Sequence, residues 1–331
     1  MILVLLAYLL LASTYVIAKA AMVYAQPIFL IGVRMTLAGI FLLGYIYLFN
    51  KKQWRFKKED FWLFVQIAFL HIYVSFICEF WTYPYLTSSK VAFMFNLSPF
   101  ITALFAYIFL RETMTVRKWV GLIIGFAGSL PVLLVPASPA ELSAGKFLFL
   151  SLPEISLLIS VTTGVYGWIV MKKLVVNKHY SPIFVNGFGM FFGGLASFIT
   201  SFIIETKPLL KCASGSMNLS TSDVTAGSPW FCFSWPDFLM FMGAVLLLIL
   251  VSNIIFYNSY GFLLKKYTPT FLALVGLVVP AFTAFIAWIF LGETVTWLFL
   301  LSLAIVILGA YIFYKDELQD QELVEEYSNI E

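Results

Sequence analysis

Apolar runs of about 20 residues recur ten times along this chain, and charged, polar or proline-containing breaks separate them. They lie at roughly 2–22, 28–49, 61–83, 87–110, 117–135, 147–171, 183–205, 238–262, 269–291 and 297–314. Lipid offers the backbone no hydrogen-bond partners, so runs of this kind are predicted to be membrane helices. The chain is 62% hydrophobic and only 11% charged, whereas a soluble domain is about half apolar and about a quarter charged. No soluble core hides that much apolar surface. The first run, Ile2 to Ala18, lacks a basic leader and is too long for a secretory h-region, so it reads as a membrane helix.

The two ends of the chain resemble each other. Pro99-Phe-Ile-Thr-Ala-Leu-Phe-Ala-Tyr-Ile-Phe-Leu-Arg-Glu-Thr-Met-Thr115 aligns without gaps to Pro280-Ala-Phe-Thr-Ala-Phe-Ile-Ala-Trp-Ile-Phe-Leu-Gly-Glu-Thr-Val-Thr296, with ten of seventeen positions identical. Gly128 and Gly309 share that offset, and Pro27-Ile-Phe with Gly32 matches Pro182-Ile-Phe with Gly187. Five helices per copy is an odd number, so the second copy enters the membrane upside down. The expected fold is therefore an all-α integral membrane protein of ten transmembrane helices in two inverted five-helix repeats, residues 1–138 and 139–315, followed by an acidic tail, 316–331. Inverted repeats suit alternating access to a central site.

Of the 20 Lys and Arg, 14 fall in the even-numbered loops and the tail, which places those loops and both termini in the cytoplasm. The loop at about 206–236 then faces outward. It holds Cys212 and Cys232, which are open to a single bridge, and the sequon Asn218-Leu-Ser220. The three cysteines show no metal-ligand spacing, and no cofactor is expected. The charge of +3 needs no nucleic-acid partner, because membrane topology accounts for where the basic residues fall. Close helix contacts are expected at Gly121/Gly125 and Gly189/Gly193, within one chain by default, and a monomer or homodimer remains open.

The paired Pro-x-x-Thr-Ala…Phe-Leu-x-Glu-Thr segments, the proline entering the second helix of each half and the glycine-bearing fifth helices resemble the EamA repeat of the drug/metabolite transporter superfamily. The chain is broadly similar to the S-adenosylmethionine carriers of intracellular bacteria within it. The resemblance implies a multi-pass secondary transporter of the cell (inner) membrane, with a cavity lined by both halves. The outward loop is longer than the family pattern.

No phosphate-binding loop and no nucleophile, His and acid arrangement occur, so an enzyme is not expected. Charges inside apolar helices turn by default to a bundle interior or a water-filled cavity. His71, Ser75 and Glu79 share one face of helix 3 at i, i+4 and i+8, and Glu79 suits a substrate ammonium or a proton. Glu154 follows Pro153, whose loosened backbone is expected to turn the carboxylate to the cavity. Arg34 and Lys90 are the cations suited to a carboxylate. Tyr15, Trp81, Tyr166, Trp168 and Tyr257 are the rings that the resemblance places in cavity-lining helices, and Asn96 and Asn253 add neutral hydrogen-bonding groups at mid-depth. Glu112 and Glu293, at helix ends, suit capping.

These residues together fit a zwitterionic or cationic metabolite with a planar ring. S-adenosylmethionine, taken up in exchange for S-adenosylhomocysteine, meets those demands. A proton-coupled exporter of amino acids or amines is the competing carrier. A membrane enzyme or receptor without transport gives no reason for an inverted repeat with buried charges.

Overall fold

The structure, a computed structural model, describes residues 2–110, 115–135, 141, 143–147, 150–205, 235–265, 272 and 275–328. Cys212, Cys232, the sequon and Glu112 lie outside them. The elements are α1 Ile2–Ala21, α2 Pro27–Phe49, α3 from Phe61 to Phe80, α4 Ser88–Phe95, α5 Ser98–Leu110, α6 Val116–Leu134, α7 Leu152–Lys172, α8 Pro182–Ile204, α9 from Trp235 to Leu263, α10 Val279–Leu291 and α11 Trp297–Ser328. Six stretches among the described residues are long and apolar enough to cross a bilayer, and three shorter apolar helices accompany them. Large apolar side chains point outward, among them Phe49, Ile203 and Phe290, each at least 74% exposed. Such a surface suits lipid.

The packing is paired between the halves. The second helices of the two halves, α2 and α8, lie along each other, as do the fifth helices, α6 and α11. The first helix of each half packs on the third and fourth of the other, α1 against α9 and α10, α7 against α3 and α5. Glycine permits the closest approaches. A Cβ on Gly39 would stand 2.4 Å from the Phe191 backbone nitrogen, and one on Gly309 would stand 2.5 Å from that of Gly125. Gly121 likewise faces the Gly309 carbonyl, and Gly193 faces that of Ala68, so both expected glycine pairs serve contacts within the chain.

Three expected helices differ in detail. Residues 87–110 are broken at Asn96 and Leu97, because Pro99 has no amide to donate to the preceding turn and sits instead in the first turn of a new helix. The matching Pro280 also follows an irregular turn, the 3₁₀ segment Gly276–Val278. The sixth helix begins at Leu152 rather than near 147. Lys146–Phe147 (β1) and Leu150–Ser151 (β2) pair antiparallel, and Ser151 then caps the helix, accepting from the Glu154 amide while Glu154 accepts from the Ser151 amide. Pro153 therefore sits in the first turn, where its missing amide costs nothing, and it loosens no mid-helix backbone. The apolar run Phe147–Leu150 concealed this boundary. The segment read as a tail continues α11 as helix to Ser328.

Helices α3 and α9 each contain an eight-residue π-helical segment, Ile67–Val74 and Ile249–Phe256. A shorter one, Lys173–Asn177, follows directly on α7.

Candidate functional site

A cavity lies between the halves, lined from α1, α2, α3, α4, α5, α7, α9 and α10. Its charged wall is formed by Arg34 and Glu79. Arg34, 2% exposed, donates from Nε to Asn253 Oδ1 at 2.8 Å and from Nη2 to Ser252 Oγ at 2.7 Å. The Phe76 and Phe80 rings flank its guanidinium at 5.4 and 5.8 Å. Those partners fix the guanidinium plane but carry no charge. Glu79, 9% exposed, accepts from the Tyr83 hydroxyl at 3.1 Å. Among the described residues neither Arg34 nor Glu79 forms an ion pair, with each other or with any other group.

The other wall is aromatic. The Trp168 ring centroid lies 4.1 Å from Tyr260, 4.6 Å from His71 and 5.1 Å from Tyr257, and all four residues line the cavity. Apart from a loose approach to the Gly164 backbone, the His71 ring nitrogens are buried without a hydrogen bond. Gly167 makes room for that imidazole, since a Cβ there would fall 2.1 Å from Nδ1. Ser75, also on the cavity wall, donates to the Ser160 carbonyl at 2.9 Å.

Seven of the twelve residues singled out from the sequence line this cavity: Glu79, Arg34, His71, Asn96, Tyr15, Trp168 and Tyr257. Asn96 donates to the Leu277 carbonyl at 3.3 Å, and Tyr15 packs on Phe95. The other five lie elsewhere. Lys90 bonds Glu154 at 2.9 Å and Glu141 at 2.7 Å, all three at most 3% exposed by side chain, so the expected cavity-facing carboxylate is instead a capping residue held in an ion cluster. Trp81 is 37% exposed and packs on Tyr85. Tyr166 donates to Gln66 Oε1 at 2.7 Å, and Asn253 stands behind Arg34. Tyr8, Thr14, Phe76, Phe80, Tyr83 and Ser252 line the cavity without having been singled out. Tyr83 stands four residues after Glu79 and Ser252 next to Asn253, which are the only local signals that point to them.

Ionic ties join the halves at both ends. Where α1 finishes, Lys19 bonds Glu293 at 3.0 Å and the Leu86 carbonyl at 3.0 Å, and Glu293 also accepts from the Ser88 and Ser89 amides at the start of α4. Burial pushes the Glu293 carboxyl up, but the Lys19 ammonium and the two amides outweigh it and hold it below the usual carboxylate range. At the opposite end Asp60 pairs with Lys178 at 2.9 Å and accepts from the Tyr180 hydroxyl at 2.9 Å.

The chain matches the EamA-like transporter family over residues 1–134 and 152–315. A protein of Chlamydia trachomatis named S-adenosylmethionine/S-adenosylhomocysteine transporter is 30% identical over 92% of this chain and 86% of its own length. Its namesake in Chlamydia muridarum is 29% identical over 92% and 88%. A solved crystal structure, 14% identical, superposes over 94% of both chains with a TM-score of 0.62, which shows a shared fold. Family match, repeats and lipid-facing surface agree: the chain belongs to the EamA-like transporters of the drug/metabolite superfamily and is a multi-pass membrane transporter.

Proposed function

We propose that the cavity carries a zwitterionic amino acid bearing a planar ring, with S-adenosylmethionine exchanged for S-adenosylhomocysteine by alternating access. The observation that carries this reading is the pair of buried, opposite charges on one wall, which feel each other across the cavity but make no ion pair. A buried ion without a counter-ion costs several kcal/mol, and a solute carboxylate at Arg34 with a solute ammonium at Glu79 removes both costs at once. The planar guanidinium matches a carboxylate bidentately. Trp168, His71 and Tyr257 offer stacking and cation–π surface to an adenine ring and a sulfonium. Asn96 and Tyr15 supply neutral contacts. Relatives with that name at about 30% identity support the choice. The distribution of basic residues supports a cytoplasmic side for both termini.

The competing reading, a proton-coupled amino-acid or amine exporter, is favoured by Glu79 alone, a carboxylate buried on the cavity wall with a single hydroxyl donor. Uptake of labelled S-adenosylmethionine into proteoliposomes, preloaded with S-adenosylhomocysteine or left empty, separates the two. Stimulation by preloading that resists excess free amino acids is the expected result. Uptake that follows a pH gradient and is displaced by amino acids would overturn it.

A further inference from the structure

The eight-residue π segments occupy equivalent places in the two halves. The repeat offset is 181 residues from Pro99 to Pro280, and 182 from Ile67 to Ile249. A π-helix bonds i to i+5, fitting an extra residue into each turn, and its short occurrences cluster at functional sites. Each segment is tied to one of the two cavity charges. Glu79 stands on Ser75–Phe80, the α turns that follow the first segment without a break. Arg34 is held by Ser252 and Asn253, both inside the second. The first segment also carries His71, whose ring nitrogens are nearly partnerless in the cavity wall. Just beyond the second, the Asn258 side chain donates to the Asn253 and Ile254 carbonyls within it, so a side chain stands ready to satisfy backbone groups that the wide turn releases.

We infer that the paired π segments are the moving parts of transport, each converting between π and α as the cavity changes the side it opens to. One extra residue absorbed or released rotates the turns beyond it by about 100°. That rotation carries Glu79 on α3 and withdraws or presents the Arg34 anchors on α9. The inference rests on the transporter reading, and its test needs no assumption about the solute.

Deleting one lipid-facing residue, Phe69 or Leu250, each at least 50% exposed, removes the extra residue while leaving the flanking turns in register. The probe is a single cysteine on the cavity wall, Leu11→Cys, in a background with Cys78→Ser, Cys212→Ser and Cys232→Ser. A membrane-impermeant maleimide is presented from either side of sealed vesicles. The undeleted protein is expected to label from both faces, and each deletion to lose labelling from one face. Two folded deletion variants that label from both faces would overturn the inference. Amide hydrogen exchange on the intact chain covers the case of misfolded variants: Ile67–Val74 and Ile249–Phe256 should exchange faster than the α turns on either side, and equal protection would also overturn it. Absence of S-adenosylmethionine binding by the undeleted protein would instead defeat the substrate reading, leaving the labelling and exchange results to stand by themselves.

Discussion

Arg34 with Glu79, and Lys90 with Glu141 and Glu154, are equally deep in the protein, yet they are treated in opposite ways. The second group is closed: 2.7 and 2.9 Å ion pairs, a Ser151 hydroxyl donating to Glu141 and to Glu154, and the Val135 carbonyl accepting from Lys90. The first is open, with neutral anchors and a shared cavity. Burial alone therefore does not mark a site. A charge whose counter-ion is built in holds parts together, here α4 of the first half to the start of the second; the charges of Arg34 and Glu79, with no ion pair on a cavity wall, are the ones the proposed function gives to the solute.

The sharpest way to break this contrast is to remove the cation from each group. Lys90→Met strands buried carboxylates and should cost about 3–5 kcal/mol, seen as a lost or sharply lowered melting transition in detergent. Arg34→Met leaves its neutral hydrogen-bond partners and only the more distant Glu79 charge, so its melting transition should fall much less than that of Lys90→Met, while specific uptake disappears. Equal melting behaviour of the two variants would erase the distinction.

Glu79→Gln keeps the volume and an acceptor for Tyr83 but loses the charge. A charge-assisted hydrogen bond is worth about 1.5–3 kcal/mol, so uptake at low solute concentration should fall roughly 10- to 100-fold with membrane insertion unchanged. Wild-type uptake would take Glu79 out of the site. Trp168→Ala should act more mildly. Aromatic pairing beyond area burial is worth about 0.5–1.5 kcal/mol, so affinity for a ring-bearing solute should drop roughly 2- to 10-fold in competition binding, and a loss no smaller for a ringless amino acid would contradict the stacking role.

The smallest effect is expected at the Lys19 and Glu293 tie, which is neither sealed nor open to the cavity. The folded carboxyl is held below its unfolded value, so the unfolded chain takes up the proton first as pH falls. The stabilisation is complete above the unfolded value and is lost as pH drops through the folded one. Glu293→Gln should therefore flatten the acid side of the melting temperature profile and leave the neutral side nearly parallel. An unchanged acid limb would show that this tie adds nothing.

Periodicity and repeat carried far in the sequence. The i, i+4, i+8 stripe of His71, Ser75 and Glu79 does face one cavity, despite the π segment that runs through its start. Arg34 stood out as an arginine set well inside an apolar run. Other features left no local trace. Lys90 and Glu154 meet only in three dimensions, so each alone resembled a ligand contact. With 18% aromatic residues, nothing separated Tyr8, Tyr83 and Phe76 from lipid-facing rings. The largely apolar character of Ile67–Val74 and Phe147–Leu150 concealed a change of helix type in one and a strand pair in the other. Hydropathy reports which residues leave water, and it is silent on how many of them make a turn.

The offsets of the matched segments set Arg34 opposite Gly189 and Glu79 opposite Tyr260 or Gly261, uncharged in every case. Both charges are thus inherited from one copy, and the other copy contributes rings and hydroxyls. A scaffold that looks alike from either face of the bilayer consequently encloses a lopsided interior. A passenger seated between such unlike walls has a head and a tail throughout its passage, and it leaves the protein without having turned around.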